Sequence, residues 1–476
     1  MRRLSGWDAM LLYSETSNIT THTLKVAVVD TRGCEEGFTF SYFTDLVRRA
    51  LPALDPLNFQ LVDIPFKLHH PMWAEHAHVD VGRHVKRVAL APPGGRVALN
   101  RLIGDIATEQ LPRDRPLWEI TFVEGLAPNK TVIVAKVHHA LADGVASANL
   151  LALAMDSTRM SERPKPVVPA RSDTRTLLRA AARDHLEHLA KLPALIRDTV
   201  AGVRSVRRHA ASRDPHPEMA QLFAPPRTFI NRRVAPGRGF VTASVSLADA
   251  KEVKDRLGIT LNDLFLAISA GALRALIERY DGRAERAIIA SVPVNTDPSP
   301  HRVSGNALGA LFVSLPVHVD DPVERCRLVA HATNRAKENN RLLGPELIGR
   351  WVDYLPPPLA PLAFRWMARR DRKNNLYNLS ISNVRGPSEE GVIGCAPMAE
   401  FYSVGPLTAG SAMNITAWSY VDQLNITVLA DDQSTDSIDE VSGALLASFY
   451  EIRRAIGISE EPRIPDTAMS EVGDQQ

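Results

Sequence analysis

His138-His139-Ala140-Leu141-Ala142-Asp143-Gly144 is the stretch on which the reading of this chain turns. It follows a mostly apolar run, Thr131-Val132-Ile133-Val134-Ala135-Lys136-Val137, that reads as a strand. Residues 145–155 then carry the apolar spacing of a helix. A strand therefore ends in two histidines, turns, and enters a helix. A histidine at a strand exit reaches a cleft while the sheet holds its backbone, and imidazole is the side chain best suited to take a proton near neutral pH. Asp143 is close enough to brace the turn, and Gly144 permits a close approach or an unusual backbone angle. A structural histidine pair explains the pattern about as well as a catalytic one. A metal site on His138, His139 and Asp143 ranks behind both, because it needs at least one more ligand. The segment 69–84 offers His69, His70, His76, His78, Asp80 and His84, but in no zinc-like spacing. It reads as a polar loop, and no metal is expected.

The chain has 476 residues, which points to two or three domains. A hydrophobic fraction of 45% with 23% charged residues is that of an ordinary soluble globular protein. Cys34, Cys326 and Cys395 stand far apart and suggest no metal pair, redox pair or disulfide framework, so a reducing, cytoplasmic compartment is expected. The first eight residues contain no apolar signal core, and nowhere do 18 predominantly apolar residues run together. The net charge of +2 is unevenly placed: residues 163–213 hold twelve Lys or Arg and four Asp or Glu, a balance of +8 that leaves −6 elsewhere. Without aromatic interleaving this stretch argues against nucleic acid as a partner. Its Leu177, Leu186, Leu189, Leu195, Ile196 and Val200 recur at helical spacing. A connector whose apolar stripe packs on the protein is favoured over a basic helix lying on a membrane.

Strand and helix signals alternate along the rest. Residues 24–30, 118–124 and 131–137 read as strands and 99–110 as a helix; the Pro-rich stretch 163–169 marks a boundary. Beyond residue 226 the pattern restarts, with strands at 241–247, 288–294, 308–317, 376–382, 413–418 and 424–430, and helices at 262–280, 323–340 and 438–456. The economical architecture is mixed α/β: an N-terminal half (1–160), a basic helical linker (161–225), a C-terminal half (226–458) and an acidic, disordered tail (459–476).

Three further segments carry local signals. Pro116-Leu117-Trp118 leads into a strand, chiefly as a core anchor that could also shape an apolar channel wall. Thr260 and Asp263 resemble a capping box at the start of the 262–280 helix. Asn262 is then free to offer a neutral donor to a developing oxyanion. Ser304-Gly305-Asn306 and the turn Asn383-Val384-Arg385-Gly386-Pro387 are weak signals alone.

Together these pieces resemble the bacterial wax ester synthase/diacylglycerol acyltransferase family across most of the chain. The 4–8 segment, Pro116-Leu117-Trp118, the HHxxxDG run 138–144, Asn262-Asp263, Gly305-Asn306 and the 383–387 loop match its motifs in order. Arg385 stands where the family loop has a proline, and Pro293-Val294-Asn295-Thr296-Asp297 departs from the usual pattern. The resemblance implies two chloramphenicol-acetyltransferase-like domains with a tunnel between them. It implies transfer of a long-chain acyl group from acyl-coenzyme A, a substrate rather than a cofactor, to diacylglycerol or a long-chain alcohol. His139 is then the general base, supported by His138, with Asn262 at the oxyanion. Asp143, Gly144 and Asp263 are structural. Pro116, Leu117, Trp118, Asn383, Gly386 and Pro387 line the substrate channel. Water-insoluble substrates imply peripheral contact with the inner membrane or lipid droplets. The alternatives are a weakly active or inactive lipid-binding protein of this fold and a condensation-like enzyme that takes carrier-bound thioesters.

Overall fold

The computed structural model describes residues 1–75, 77–155, 173–212, 218–221, 224–297, 299, 301–370, 376–458, 461 and 463. The Pro-rich boundary 163–169, His76 and nearly all of the 459–476 tail lie outside them. Two six-stranded sheets dominate. The first has the order β12 (Val392–Ile393), β13 (Ala396–Val404), β2 (His22–Asp30), β7 (Lys130–His138), β6 (Trp118–Ala127) and β5 (Val85–Ala89). The second has the order β10 (Leu308–Leu315), β9 (Ile288–Asn295), β11 (Leu379–Val384), β14 (Met413–Tyr420), β15 (Gln423–Asp431) and β8 (Arg238–Ser246). A small sheet pairs β1 (Arg2–Arg3), β4 (Met72–Ala74) and β3 (Gln60–Val62). The helices of the first half are α1 (Gly6–Ser14), α2 (Phe40–Ala50), α3 (Gly95–Thr108) and α4 (Gly144–Met155), followed by the long α5 (Thr174–Ala211). Those of the second are α6 (Leu247–Leu257), α7 (Leu261–Asp281), α8 (Pro322–Leu343), α9 (Leu347–Val352), α10 (Ala360–Arg369) and α11 (Asp439–Ala455).

The strand bearing the histidines is rigid because both its faces are buried. Val132 and Val134 join one apolar cluster, while Ile133 joins another with Val137 packed on it. Such a strand reads as a continuous apolar run rather than an alternating one. In the second half, α7 is apolar nearly all round and lies in the core, held at its start by a complete Thr260–Asp263 capping box.

The division into consecutive halves needs one correction. β13 pairs antiparallel with β2, so a segment from late in the chain completes the first sheet. This crossing also brings together two cysteines 361 residues apart: Cys34 and Cys395 form a disulfide. The expectation of no disulfide fails because sequence separation says nothing about neighbours across a sheet, and with it falls the argument from cysteines to a reducing compartment. Cys326 is free and buried. Unfolded under non-reducing conditions, the protein is expected to show one reactive thiol in a thiol titration; three would mean the pair is open.

The linker helix only partly fits the packed-connector reading. Leu177, Ala181, Leu195 and Gly202 are buried, yet Leu186 is 69% and Leu189 64% exposed. No single described helix is long and apolar enough to cross a membrane.

Candidate active site at the junction of the two halves

The 138–144 turn is anchored from the first half and closed by the second. His138 N–H donates to the Leu117 carbonyl at 2.9 Å and His139 N–H to the Thr21 carbonyl at 2.8 Å, so the residues leading into β6 and β2 hold both histidine backbones. From the other half, Gly305 N–H donates to the Leu141 carbonyl at 2.6 Å, and Asp143 N–H to the Gly305 carbonyl at 3.3 Å. The 383–387 loop closes on the same turn. A side chain at Gly144 would meet the Val384 Cγ2 at 3.0 Å, and one at Gly386 would fall 2.0 Å from the Trp418 indole nitrogen. Gly386 therefore needs glycine for this close approach, and a side chain at Gly144 would have to push Val384 aside. Asn383 and Pro387 are half-buried in this loop, and Arg385 is exposed.

His139 is half-buried, and its orientation is set by an amide and a carboxylate. Its Nδ1 lies 3.0 Å from the Asn306 Oδ1. The Asn306 Nδ2 donates to the Asp8 Oδ1 at 2.7 Å and to the His139 carbonyl at 2.8 Å. Two acceptors on one side fix which end of the amide is nitrogen. The oxygen therefore faces the ring, so Nδ1 carries the proton and Nε2 keeps its lone pair. Burial lowers the His139 pKa below its ordinary 6.5, opposed by its own carbonyl, Asp143 and the Asn306 hydrogen bond. The ring is thus neutral at neutral pH. If it acts as a base, the acid limb of kcat/KM should lie below pH 6.5; a midpoint above 6.5 would point to another group.

His138 is fully buried and accepts from the Ala140 N–H at 3.1 Å. Its Nε2 faces the Thr21 hydroxyl at 3.1 Å. Burial, with the neighbouring His22, holds its pKa well below 6.5. It is a structural post behind His139. Glu15, His22 and His138 form the one group among the described residues that could gather on a metal ion. Arg113 already pairs with Glu15 at 2.9 Å and Thr21 with His138, which accounts for this group as a hydrogen-bonded network. His139, Asp143 and the 69–84 histidines are not part of it.

Asp143 is saturated. It accepts from the Ala146 N–H at 2.9 Å, capping α4, and from the Ala307 N–H at 3.0 Å. The Arg302 guanidinium grips both its oxygens at 2.9 Å. Arg302 also donates to Asn295 and lies 3.7 Å from Asp297, so the unusual 293–297 segment helps hold the arginine that holds Asp143.

Other expectations are relocated. No hydrogen bond among the described residues joins Asn262 to His139; Asn262 is half-buried at the first turn of α7, and Asp263 serves the capping box. The amide at His139 is Asn306. Pro116, Leu117 and Trp118 are buried, with Trp118 donating to the Leu57 carbonyl at 2.8 Å and stacking on His84 at 4.2 Å. They are buried core, and the Leu117 carbonyl positions His138. The 69–84 segment is not simply a polar loop either, since His69, His70 and His84 are buried against backbone and ring partners. Asp8, Arg302 and the pairing of Asn306 with His139 are the parts the sequence reading did not assign. Replacing Asn306 with Ala frees the ring tautomer and should cost about tenfold or more in kcat with little change in KM; unchanged kcat would remove the amide from the machinery.

A strand-held histidine between two sheet-rich halves defines the class of two-domain HHxxxDG acyltransferases. The fold matches a wax ester synthase/diacylglycerol acyltransferase from Marinobacter aquaeolei with a TM-score of 0.64 at 24% identity, covering 96% of this chain and 100% of that one. It also matches the condensation domain of the Monacolin K polyketide synthase MokA with a TM-score of 0.59 at 11% identity, covering 97% and 98%. Residues 4–265 match the wax ester synthase/diacylglycerol acyltransferase catalytic domain, and 304–453 the C-terminal domain of the same family. A Mycobacterium tuberculosis protein provisionally named a diacylglycerol O-acyltransferase is 50% identical over 471 residues, 99% of this chain and 100% of that one. A second from the same organism, with the same provisional name, is 32% identical over 472 residues, 97% and 99%. The chain belongs to the wax ester synthase/diacylglycerol acyltransferase family and is an acyltransferase.

Proposed function

We propose that this acyltransferase moves a long-chain fatty acyl group from acyl-coenzyme A to the hydroxyl of diacylglycerol or of a long-chain alcohol, with His139 as general base. The observation that carries the reading is the Asp8–Asn306–His139 chain, which leaves Nε2 as the free lone pair. An alcohol is too weak an acid for imidazole to deprotonate outright. Nε2 therefore takes the hydroxyl proton as the oxygen bonds to the thioester carbonyl, and the carbonyl oxygen becomes an oxyanion. Collapse expels the coenzyme thiolate, which recovers the proton from Nε2, so the ring ends as it began. The thioester is electrophilic enough that no covalent enzyme intermediate is required.

The enzyme works peripherally at a lipid surface, the inner membrane or a lipid droplet, in the cytoplasm. Thiols trapped by alkylation in intact cells test the compartment: on this reading the Cys34–Cys395 pair is open in the cell and closes on purification in air, and a bond found closed in the cell would contradict it. The activity test is purified protein with palmitoyl-coenzyme A and, in parallel, diacylglycerol and hexadecanol. Triacylglycerol or wax ester is expected with matching release of coenzyme A thiol. Thiol release with neither ester would mean hydrolysis, and no release with either would overturn the reading.

A further inference from the structure

A cavity of about 620 Å³ opens where the end of α1, the 63–71 loop and α10 meet, so both halves wall it. Lys67, Arg113, Arg233, Arg365 and Arg369 line it, against the carboxylates Glu15 and Asp63. Arg113 is taken up by Glu15. Lys67, Arg365 and Arg369 are exposed, and none makes an ion pair among the described residues. The inner wall ends at Glu15, whose Oε1 stands 3.9 Å from the Nε2 of His138, the buried neighbour of His139 in the chain.

The rim is apolar in a way the cations alone do not explain. Phe66 is 83% exposed. It sits at φ 57°, followed by Lys67 at φ 53°. Two consecutive non-glycine residues in the left-handed region are strained, and here the strain holds an aromatic ring in water. The next residue is clamped, since His185 on α5 faces the Leu68 carbonyl with its Nε2 at 2.7 Å. Leu186 and Leu189 follow on the same stretch of α5, both exposed. On α10, next in the chain to the lining residues Pro361 and Arg365, Leu362 is 60% and Trp366 51% exposed, with the Arg370 guanidinium 3.7 Å from the Trp366 ring centre. Scattered exposed apolar residues are ordinary; four that each adjoin in the chain a residue lining one cationic opening are not.

The geometry points to this face as a docking surface for an anionic lipid layer. Phe66, Leu68, Leu362 and Trp366 enter the headgroup region, and Lys67, Arg365 and Arg369 meet lipid phosphates. Aromatic and basic residues side by side are the chemistry of a membrane interface. Coenzyme A phosphates would use the cations but leave the apolar rim without purpose. The cavity is then the opening through which a neutral acceptor leaves the lipid. That last step rests on the acyltransferase reading; the docking itself does not.

The test uses the full chain and phosphatidylcholine vesicles with and without phosphatidylglycerol, read by flotation. Wild type should bind the anionic vesicles preferentially, and less as salt rises. Phe66→Asp/Trp366→Asp and Lys67→Glu/Arg365→Glu/Arg369→Glu should each weaken binding about tenfold or more. Arg204→Glu/Arg207→Glu/Arg208→Glu, at the far end of α5, should stay within about twofold of wild type. Melting temperatures matching wild type show that the variants fold. The Phe66→Asp/Trp366→Asp protein should turn over a dissolved short alcohol normally but lose activity on vesicle-embedded diacylglycerol. Wild type that ignores anionic vesicles at low salt, or rim variants that bind like wild type, would overturn the proposal. So would a raised KM for acyl-coenzyme A in the Lys67/Arg365/Arg369 variant with vesicle binding intact, which would assign the cations to the coenzyme. Failure of wild type to turn over the dissolved alcohol would count against the acyltransferase reading and leave the docking result standing.

Discussion

A His139→Ala protein is expected to fold normally and to lose acyl transfer by roughly 10²–10⁴-fold. Folding should survive because the side chain is half-buried and the turn is held by backbone bonds to Thr21, Leu117 and Gly305, none of which involves the imidazole. Removing the ring leaves the Asn306 Oδ1 without its partner, a local loss of about 1 kcal/mol. Catalysis should collapse because His138, the neighbouring imidazole, cannot substitute: its Nδ1 is engaged by Ala140 and its Nε2 by Thr21, behind the strand end. The residual rate should also lose its acid limb below pH 6.5, since the group that titrates there is gone. Near-normal turnover by a folded His139→Ala protein, or a residual rate that keeps the same acid limb, would remove His139 as the base.

How much of this was legible in the sequence depends on how far apart the partners lie. The strand, turn and helix of residues 131–155 could be read directly, because an apolar run, a glycine and a helical spacing are local signals. So could the Thr260–Asp263 box, whose members are three residues apart. The machinery around His139 could not be assembled that way. Asp8 meets Asn306 across 298 positions, Asn306 meets His139 across 167, and Arg302 meets Asp143 across 159. Motif resemblance flagged 4–8 and 305–306 but gave Asp8 no role, and Arg302 carried no signal. Asn262 attracted the oxyanion role because it follows a capping residue, a local fact that does not say which way a helix start faces. β13 is hard to read in the sequence because its register breaks at a bulge between Met398 and Glu400, just ahead of the uncharged stretch that begins at Phe401. That one strand explains both the crossed domain boundary and the disulfide. The buried histidines of the 69–84 segment escaped for a related reason. Polarity in sequence does not reveal that the Trp118 carbonyl waits for His84 2.8 Å away.

The second large effect should fall on stability. Asp143 is 1% exposed and the Arg302 side chain 12%, so their ion pair lies largely out of water. Breaking one partner of such a pair costs about 3–5 kcal/mol, because the remaining charge stays buried without compensation. Arg302→Leu leaves the Asp143 carboxylate with only its two backbone donors, Ala146 and Ala307. Asp143→Asn is nearly isosteric but sets an amide NH2 against donors, since one end must face Ala146 and the other Ala307, while Arg302 approaches both. Both single variants should therefore melt well below wild type. The double variant Asp143→Asn/Arg302→Leu should recover part of the loss, as it removes the stranded charge; a coupling of about 0.5–3 kcal/mol in the cycle would measure the pair. Activity should follow the folded fraction, because Asp143 reaches His139 only through the field across the turn and through the loop that carries Asn306. An Asp143→Asn protein that melts like wild type yet has lost turnover would overturn this assignment and put the carboxylate in the chemistry itself.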